Sequence, residues 1–135
     1  MLTCYDYSAA KILNQTRIDA LLVGDSVAMT MHGFNDTLMA TLTMMELHTA
    51  AVRRGAPEKY IVSDLPFLSY RQSKKQSMLA AQRLIRAGAQ AIKLEGADGN
   101  LSLIRHLVES GIPVMGHLGL TPQLVLGLGG IQSTR

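Results

Sequence analysis

Short apolar runs alternate with longer amphipathic segments along the whole chain. Runs of strand length occupy residues 19–24, 60–64, 91–95 and 113–117, and residues 2–6 form a weaker fifth candidate. The runs end at glycine, proline or polar residues, which is typical of strands that lead into turns. The pattern therefore predicts five short β-strands.

Helix signals fill the intervals between these runs. Thr43 with Glu46, and Ser73 with Gln76, form capping-box patterns, in which both side chains satisfy free backbone donors of a first helical turn. Asn100 is a candidate cap for a third segment with apolar residues at helical spacing, and a shorter amphipathic segment follows the first run. Glycines close the later segments, as expected at helix ends. We therefore expect four helices.

Strict alternation of strands and helices predicts a parallel α/β fold. A complete (β/α)₈ barrel typically needs about 250 residues, or roughly 31 per unit. The 135 residues of this chain therefore fit only a partial barrel. We find no linker or break in composition, so residues 1–135 are expected to form a single, incomplete barrel domain whose last residues, after Gly119, are loop-like.

Composition narrows the class of protein. The sequence is 47% apolar and 17% charged, which suits a folded core. Its single cysteine, Cys4, cannot form an internal disulfide, and this favours a reducing cytoplasm. No apolar run is long enough to cross a membrane. The net charge of +3 comes from scattered basic residues without interleaved aromatics, so we expect no nucleic-acid or membrane partner.

Polar residues stand at the carboxyl end of every predicted strand: Asp6, Asp25, Asp64, Glu95 and His117. In a parallel sheet these ends meet at one face, where ligands bind. Carboxylates gathered there need a cation, and oxygen ligands suit Mg²⁺. Asp25, Asp64 and Glu95 are therefore candidate metal ligands. The alternative is that they are unrelated turn and cap residues.

Lys93 and His117 extend this candidate site. Lys93 lies within an apolar run, two residues before Glu95, and would be costly to bury unless it meets an anion such as a substrate carboxylate. The alternative is an edge strand with Lys93 in solvent. His117 is a candidate ligand contact or acid–base group, although a buried histidine with a backbone partner is commoner. Nucleotide-binding glycine motifs are lacking.

Several stretches together resemble the ketopantoate hydroxymethyltransferase family. They occur in the family's order and with its spacing across nearly the whole chain. The matching stretches are TCYDYS at 3–8, LVGDS at 22–26, HTAAVRRG at 48–55, DLPF at 64–67, RAGA at 86–89, KLEG at 93–96 and GHLGLTPQ at 116–123.

The resemblance implies a Mg²⁺-dependent cytoplasmic enzyme of pantothenate biosynthesis, built as a (β/α)₈ barrel of the phosphoenolpyruvate/pyruvate type. Such enzymes transfer the methylene group of 5,10-methylenetetrahydrofolate to 3-methyl-2-oxobutanoate through a Mg²⁺-stabilised enolate, giving 2-dehydropantoate. They assemble as homo-oligomers, often decamers. This chain corresponds to about the first five βα units of that barrel.

The motif match also implies roles for individual residues. Asp25 and Asp64 would bind the metal, and Glu95 would hold it through water. The residues implied in binding the keto acid are Asp25, Ser26, Asp64, Lys93 and His117. The family's proton-abstracting base is a glutamate on a later strand, so it is expected beyond Arg135. Two stretches depart from the family pattern: Met39-Ala40, where a proline is common, and the tail at 131–135.

Four hypotheses follow. In the first, the chain belongs to a working transferase. In the second, it binds Mg²⁺ and keto acid but is catalytically incomplete. In the third, it is an assembly module whose open sheet edges pair with another chain. In the fourth, it is a related Mg²⁺-dependent barrel lyase or mutase acting on keto acids. The KLEG and GHLGLTPQ stretches favour the transferase.

Overall fold

The computed structural model describes residues 1–124 and residue 127; Gly129, Gly130 and the tail at 131–135 lie outside the described residues. The described strands are β1 (Leu2–Thr3), β2 (Ala20–Val23), β3 (Tyr60–Asp64), β4 (Ala91–Glu95) and β5 (Val114–His117). The α-helices are α1 (Tyr7–Asn14), α2 (Val27–Thr30), α3 (Leu42–Gly55), α4 (Lys74–Ala87) and α5 (Leu101–Glu109). Single 3₁₀ turns occupy Thr37–Met39 and Pro122–Leu124.

The five strands form one parallel sheet in the order of the sequence, β1-β2-β3-β4-β5. Each strand therefore pairs with the one before it, as consecutive units of a (β/α)₈ barrel do. The inner strands β3 and β4 are almost wholly buried, since they carry the apolar runs that helices cover on a parallel sheet. The predicted fold class, α/β with about five units of a partial barrel, is confirmed.

The predicted start of helix α3 was wrong in detail. Helix α3 is capped by Thr41, whose hydroxyl accepts the backbone N–H of Met44 at 3.1 Å. Thr43 and Glu46 instead bind Arg83 of α4, which joins the two helices. A capping-box pattern and a helix-to-helix contact use the same residue types, so sequence alone did not separate them.

The other starts show one success and one failure. Ser73 caps α4 as predicted and accepts the backbone N–H of Gln76 at 3.1 Å. Asn100 lies at the start of α5, but its side chain does not cap the helix. Its amide donates instead to the carbonyl oxygens of Glu95 and Gly96, at 3.0 and 2.9 Å, and so fixes the turn that leaves β4.

Arg53 joins the loops at the opposite, amino end of the sheet. Its guanidinium donates to the carbonyl oxygens of Gly88 and Pro57, at 2.9 and 3.1 Å, and to the side chain of Gln90 at 2.6 Å. Burial lowers the pKa of Arg53. Arg53 is one of the scattered basic residues of the sequence, and it serves as a structural contact between neighbouring units.

Gly55 allows α1 and α3 to pack closely. A Cβ atom at Gly55 would lie 2.5 Å from the carbonyl oxygen of Tyr7 and 2.7 Å from the Cβ of Ala10. We predict that Gly55→Ala lowers the free energy of unfolding by about 1–3 kcal/mol, because the two helices must separate. Urea denaturation measures this loss. Gly116→Ala is the control, since no described atom lies within 4 Å of a Cβ there; equal losses in both variants would contradict the prediction.

Cys4 is 2% exposed and lies beside β2, where its backbone N–H donates to the carbonyl oxygen of Leu22 at 2.9 Å. Burial raises the pKa of its thiol. Because the folded thiol resists ionisation, its contribution to stability is complete below the ordinary thiol pKa and is lost as the pH rises through the folded value.

We predict that native Cys4 reacts with iodoacetamide at pH 8 at least about tenfold more slowly than the urea-unfolded chain, since only the exposed thiolate reacts. Mass spectrometry of timed samples gives both rates. Equal rates in the two states would show that Cys4 is neither buried nor held as the thiol.

Candidate functional site

The carboxyl ends of four strands bring polar side chains to one edge of the sheet. Asp64 ends β3, Glu95 ends β4, His117 ends β5, and Asp25 follows β2 by two residues. The register places Asp64 beside Lys93 and Glu95 beside His117 on neighbouring strands. The parallel sheet thus gathers residues from four separate units, as the sequence pattern predicted.

Asp64 and Lys93 form a buried ion pair. Nζ of Lys93 lies 2.6 Å from Oδ1 of Asp64. The side chain of Lys93 is only 12% exposed, and that of Asp64 is 5% exposed. Strand β4 lies between β3 and β5, so the alternative of an edge strand with Lys93 in solvent was wrong. The anion that meets Lys93 in the described chain is Asp64. Burial raises the pKa of Asp64 even though Lys93 opposes this shift.

Asp25 is a second buried carboxyl group in contact with the first. Its backbone N–H donates to Oδ2 of Asp64 at 3.1 Å. Burial, and then the charge of Asp64, raise the pKa of Asp25. Two acidic groups thus share the single positive charge of Lys93, which cannot neutralise both carboxylates when they are ionised.

Glu95 is buried between His117 and the chain that follows β5. Its Oε1 lies 3.2 Å from Nδ1 of His117, and its Oε2 accepts the backbone N–H of Gln123 at 3.0 Å. The partner of the His117 ring is therefore a carboxylate rather than a backbone group. The charge of Glu95 also raises the pKa of Asp64, so this acid belongs to the same electrostatic cluster.

Gln123 is a member of the cluster that the sequence analysis missed. It is 2% exposed, and its Nε2 donates to Oδ2 of Asp25 at 2.7 Å and to the carbonyl oxygen of Leu65 at 3.0 Å. Its Oε1 accepts the hydroxyl of Tyr70 at 2.6 Å. Gln123 carries no charge and so gives no signal of a titratable site, although the GHLGLTPQ stretch that resembles the family ends on it.

Ser26 occupies the other side of Asp25. Its Oγ lies 2.6 Å from the hydroxyl of Tyr5, and the carbonyl oxygen of Tyr5 accepts a hydrogen bond from Nδ1 of His48 at 2.5 Å. Nε2 of His48 lies 2.9 Å from Nε2 of His32. Helix α3 therefore helps to fix the loop that holds Ser26. Asp6, by contrast, caps α1 by accepting the backbone N–H of Ala9.

The donor set of Asp25 and Asp64 suits a divalent cation. Both are buried carboxyl groups whose ionised forms a cation would favour. Within residues 1–124 and residue 127, no three His, Cys, Asp or Glu side chains form a group that could hold a metal ion. Mg²⁺ is commonly bound through one or two carboxylates, with water or substrate completing its octahedron. The residues therefore fit Mg²⁺ as a two-carboxylate site, and the direct or water-mediated role of Glu95 stays a prediction.

A parallel α/β sheet with its strands in sequence order is the arrangement of (β/α)₈ barrels, a fold class whose ligand sites lie at the carboxyl edge of the sheet. Solved structures agree with this fold. A 2,3-dimethylmalate lyase, described as a PEP mutase/isocitrate lyase superfamily member, superposes with a TM-score of 0.69 at 20% identity, covering 85% of this chain and 45% of the lyase. An oxaloacetate acetylhydrolase in complex with oxalate gives a TM-score of 0.66 at 15% identity, covering 85% of this chain and 45% of the other.

Sequence comparison specifies the family. The family described as ketopantoate hydroxymethyltransferase matches residues 1–134. The 3-methyl-2-oxobutanoate hydroxymethyltransferase of Bdellovibrio bacteriovorus is 57% identical over 132 residues, and that of Coxiella burnetii is 58% identical over 133. Each alignment covers 98% of this chain and 50% of the relative, so the chain spans about half the length of these relatives. The chain belongs to the ketopantoate hydroxymethyltransferase family.

The ion pair yields a test of the site's electrostatics. We predict that Lys93→Met lowers the free energy of unfolding by about 3–5 kcal/mol at neutral pH, since Asp64 then lacks its buried partner. Adding Asp64→Asn should restore part of the loss, which urea denaturation measures for each variant. Lys59→Met is the control, because Lys59 makes an exposed hydrogen bond to the carbonyl oxygen of Thr16. If the Lys93→Met variant proved as stable as the Lys59→Met variant, the prediction would be refuted.

Proposed function

We propose that this chain carries the metal-binding and keto acid-binding part of a hydroxymethyltransferase. The reaction would transfer the methylene group of 5,10-methylenetetrahydrofolate to 3-methyl-2-oxobutanoate and give 2-dehydropantoate, a step of pantothenate biosynthesis. The observation that carries the proposal is the buried Asp25–Asp64 pair beside a single ammonium group, in a chain of this family.

Asp25 and Asp64 are the residues that would bind Mg²⁺ directly. Glu95 would contact the cation through a bridging water molecule. Bound there, Mg²⁺ would polarise the carbonyl of the keto acid and acidify the adjacent C–H. The role proposed for Glu95 rests on the family resemblance, and its contacts with His117 and Gln123 hold it at the same edge of the sheet.

Lys93, Ser26 and His117 would bind the keto acid. The ammonium group of Lys93 would attract the substrate carboxylate while keeping its contact with Asp64. The hydroxyl of Ser26, shared with Tyr5, would donate a hydrogen bond next to Asp25. The ring of His117, held by Glu95, would line the same pocket.

We assign no general base among residues 1–135, because the family resemblance places that glutamate on a later strand. The three buried acids have other partners. Asp64 is paired with Lys93, Asp25 with Gln123, and Glu95 with His117. We therefore propose that this chain binds ligand through the residues above, while proton abstraction requires a residue outside it.

This proposal predicts binding without turnover. Isothermal titration of the 135-residue chain with 3-methyl-2-oxobutanoate should show weak binding that requires Mg²⁺ and disappears with EDTA. Asp25→Asn should abolish it, since the paired carboxylates would become one. Asp19→Asn is the matched control, because Asp19 is exposed at the opposite end of the sheet. Binding that is indifferent to Mg²⁺ would refute the metal site, and transfer by this chain alone would refute the assignment of the base.

The remaining implications of the family also stay proposals. Homo-oligomerisation is supported by large apolar side chains left on the surface, since Ile12, Leu47 and Leu101 are each about two-thirds exposed (68%, 67% and 68%). We also propose a cytoplasmic location, which the single buried thiol Cys4 supports. None of the helices in the described part of the chain is long and apolar enough to cross a bilayer. The likeness to lyases and hydrolases rests on identities of 20% or less and supports the fold alone.

A further inference from the structure

The amide of Gln123 has only one orientation that its surroundings accept. One end faces Oδ2 of Asp25 and the carbonyl oxygen of Leu65, which are both hydrogen-bond acceptors. The other end faces the hydroxyl of Tyr70, which can donate. A flipped amide would place its oxygen against two acceptors, so the NH₂ group must point at Asp25.

The same residue holds a second acid through its backbone. The N–H of Gln123 donates to Oε2 of Glu95, while its side chain reaches Asp25, 98 residues earlier in the chain. One buried residue thus joins the acid that follows β2 to the acid that ends β4. Neither contact adds charge, so each can orient a carboxylate without competing with a cation for it.

The contact of Gln123 restricts the orientation of the Asp25 carboxylate. Its amide donates to Oδ2 at 2.7 Å. A carboxylate whose orientation is fixed by a neutral hydrogen-bond donor is prepared to bind a cation.

We propose that Gln123 is a positioning residue, oriented by Tyr70, that fixes the carboxylate of Asp25 for cation binding. This inference rests on the proposed function, because the cation is the Mg²⁺ assigned to Asp25 and Asp64. It adds a requirement that the motif match did not contain: the segment after β5 must return to the acid after β2 before the site is complete.

The test is Mg²⁺ titration of the full 135-residue chain by calorimetry. Gln123→Met keeps the size of the side chain and removes its amide, and should weaken Mg²⁺ binding about 10–100-fold, as loss of a group that orients a metal ligand does. Tyr70→Phe removes only the hydroxyl that orients the amide and should weaken binding about two- to tenfold.

Gln90→Met is the matched control. Gln90 lies at the amino end of β4, where its Oε1 accepts hydrogen bonds from Arg53 and from the backbone N–H of Ile61. This variant should lose folding stability and keep wild-type Mg²⁺ affinity, which separates a positioning role from a merely structural one. Wild-type affinity in Gln123→Met overturns the proposal. If Gln123→Met does not fold, wild-type affinity in Tyr70→Phe overturns it.

A second measurement separates failure of this proposal from failure of the proposed function. In ¹H–¹⁵N spectra, the side-chain NH₂ signals of Gln123, assigned by their loss in Gln123→Met, should exchange slowly and lose protection in Asp25→Ala. If the wild-type chain binds no Mg²⁺, the metal site and the positioning role that depends on it are both refuted. If Mg²⁺ binds but the Gln123 signals exchange as fast as those of exposed Gln90, the positioning role alone is overturned. Mg²⁺ binding together with slow exchange that depends on Asp25 supports both.

Discussion

A buried carboxyl group is costly unless something compensates its charge, and this chain buries two of them in contact at one edge of its sheet. Asp25 and Asp64 share the ammonium group of Lys93, and burial raises the pKa of both acids. A fold selected for stability alone would not keep such a pair. The surrounding structure holds this pair in place. The inner strands β3 and β4 are almost wholly buried, and the neutral amide of Gln123 donates a hydrogen bond to Asp25.

How much of this arrangement the sequence could predict depends on the range of the interactions. The strands and the positions of Asp25, Asp64 and Glu95 followed from local patterns, because apolar runs form strands and parallel strands end at one edge. The contacts of Gln123 and Arg53 did not. Gln123 joins units far apart in the chain and Arg53 joins neighbouring units, both through residue types that are equally common on a solvated surface.

Errors at the helix starts have a related cause. Threonine, glutamate and asparagine side chains satisfy whichever backbone or side-chain partner is nearest, and tertiary structure decides which that is. Thr43 therefore bonds Arg83 rather than its own helix, and Asn100 bonds the end of β4. Local signals located these segments, while the choice of partner depended on neighbours that only the fold supplies.

The sequential strand order also bears on how the chain acquires its structure. Each strand pairs with the one before it, so most of the sheet can form progressively as the polypeptide is synthesised. Because each of these pairings closes only a short loop, it costs little conformational entropy. The polar edge is different, because the bond between Gln123 and Asp25 closes a loop of 98 residues. The five strands can therefore be paired while the contacts of the polar edge are still incomplete, so the buried contact between Gln123 and Asp25 forms as a late event of folding.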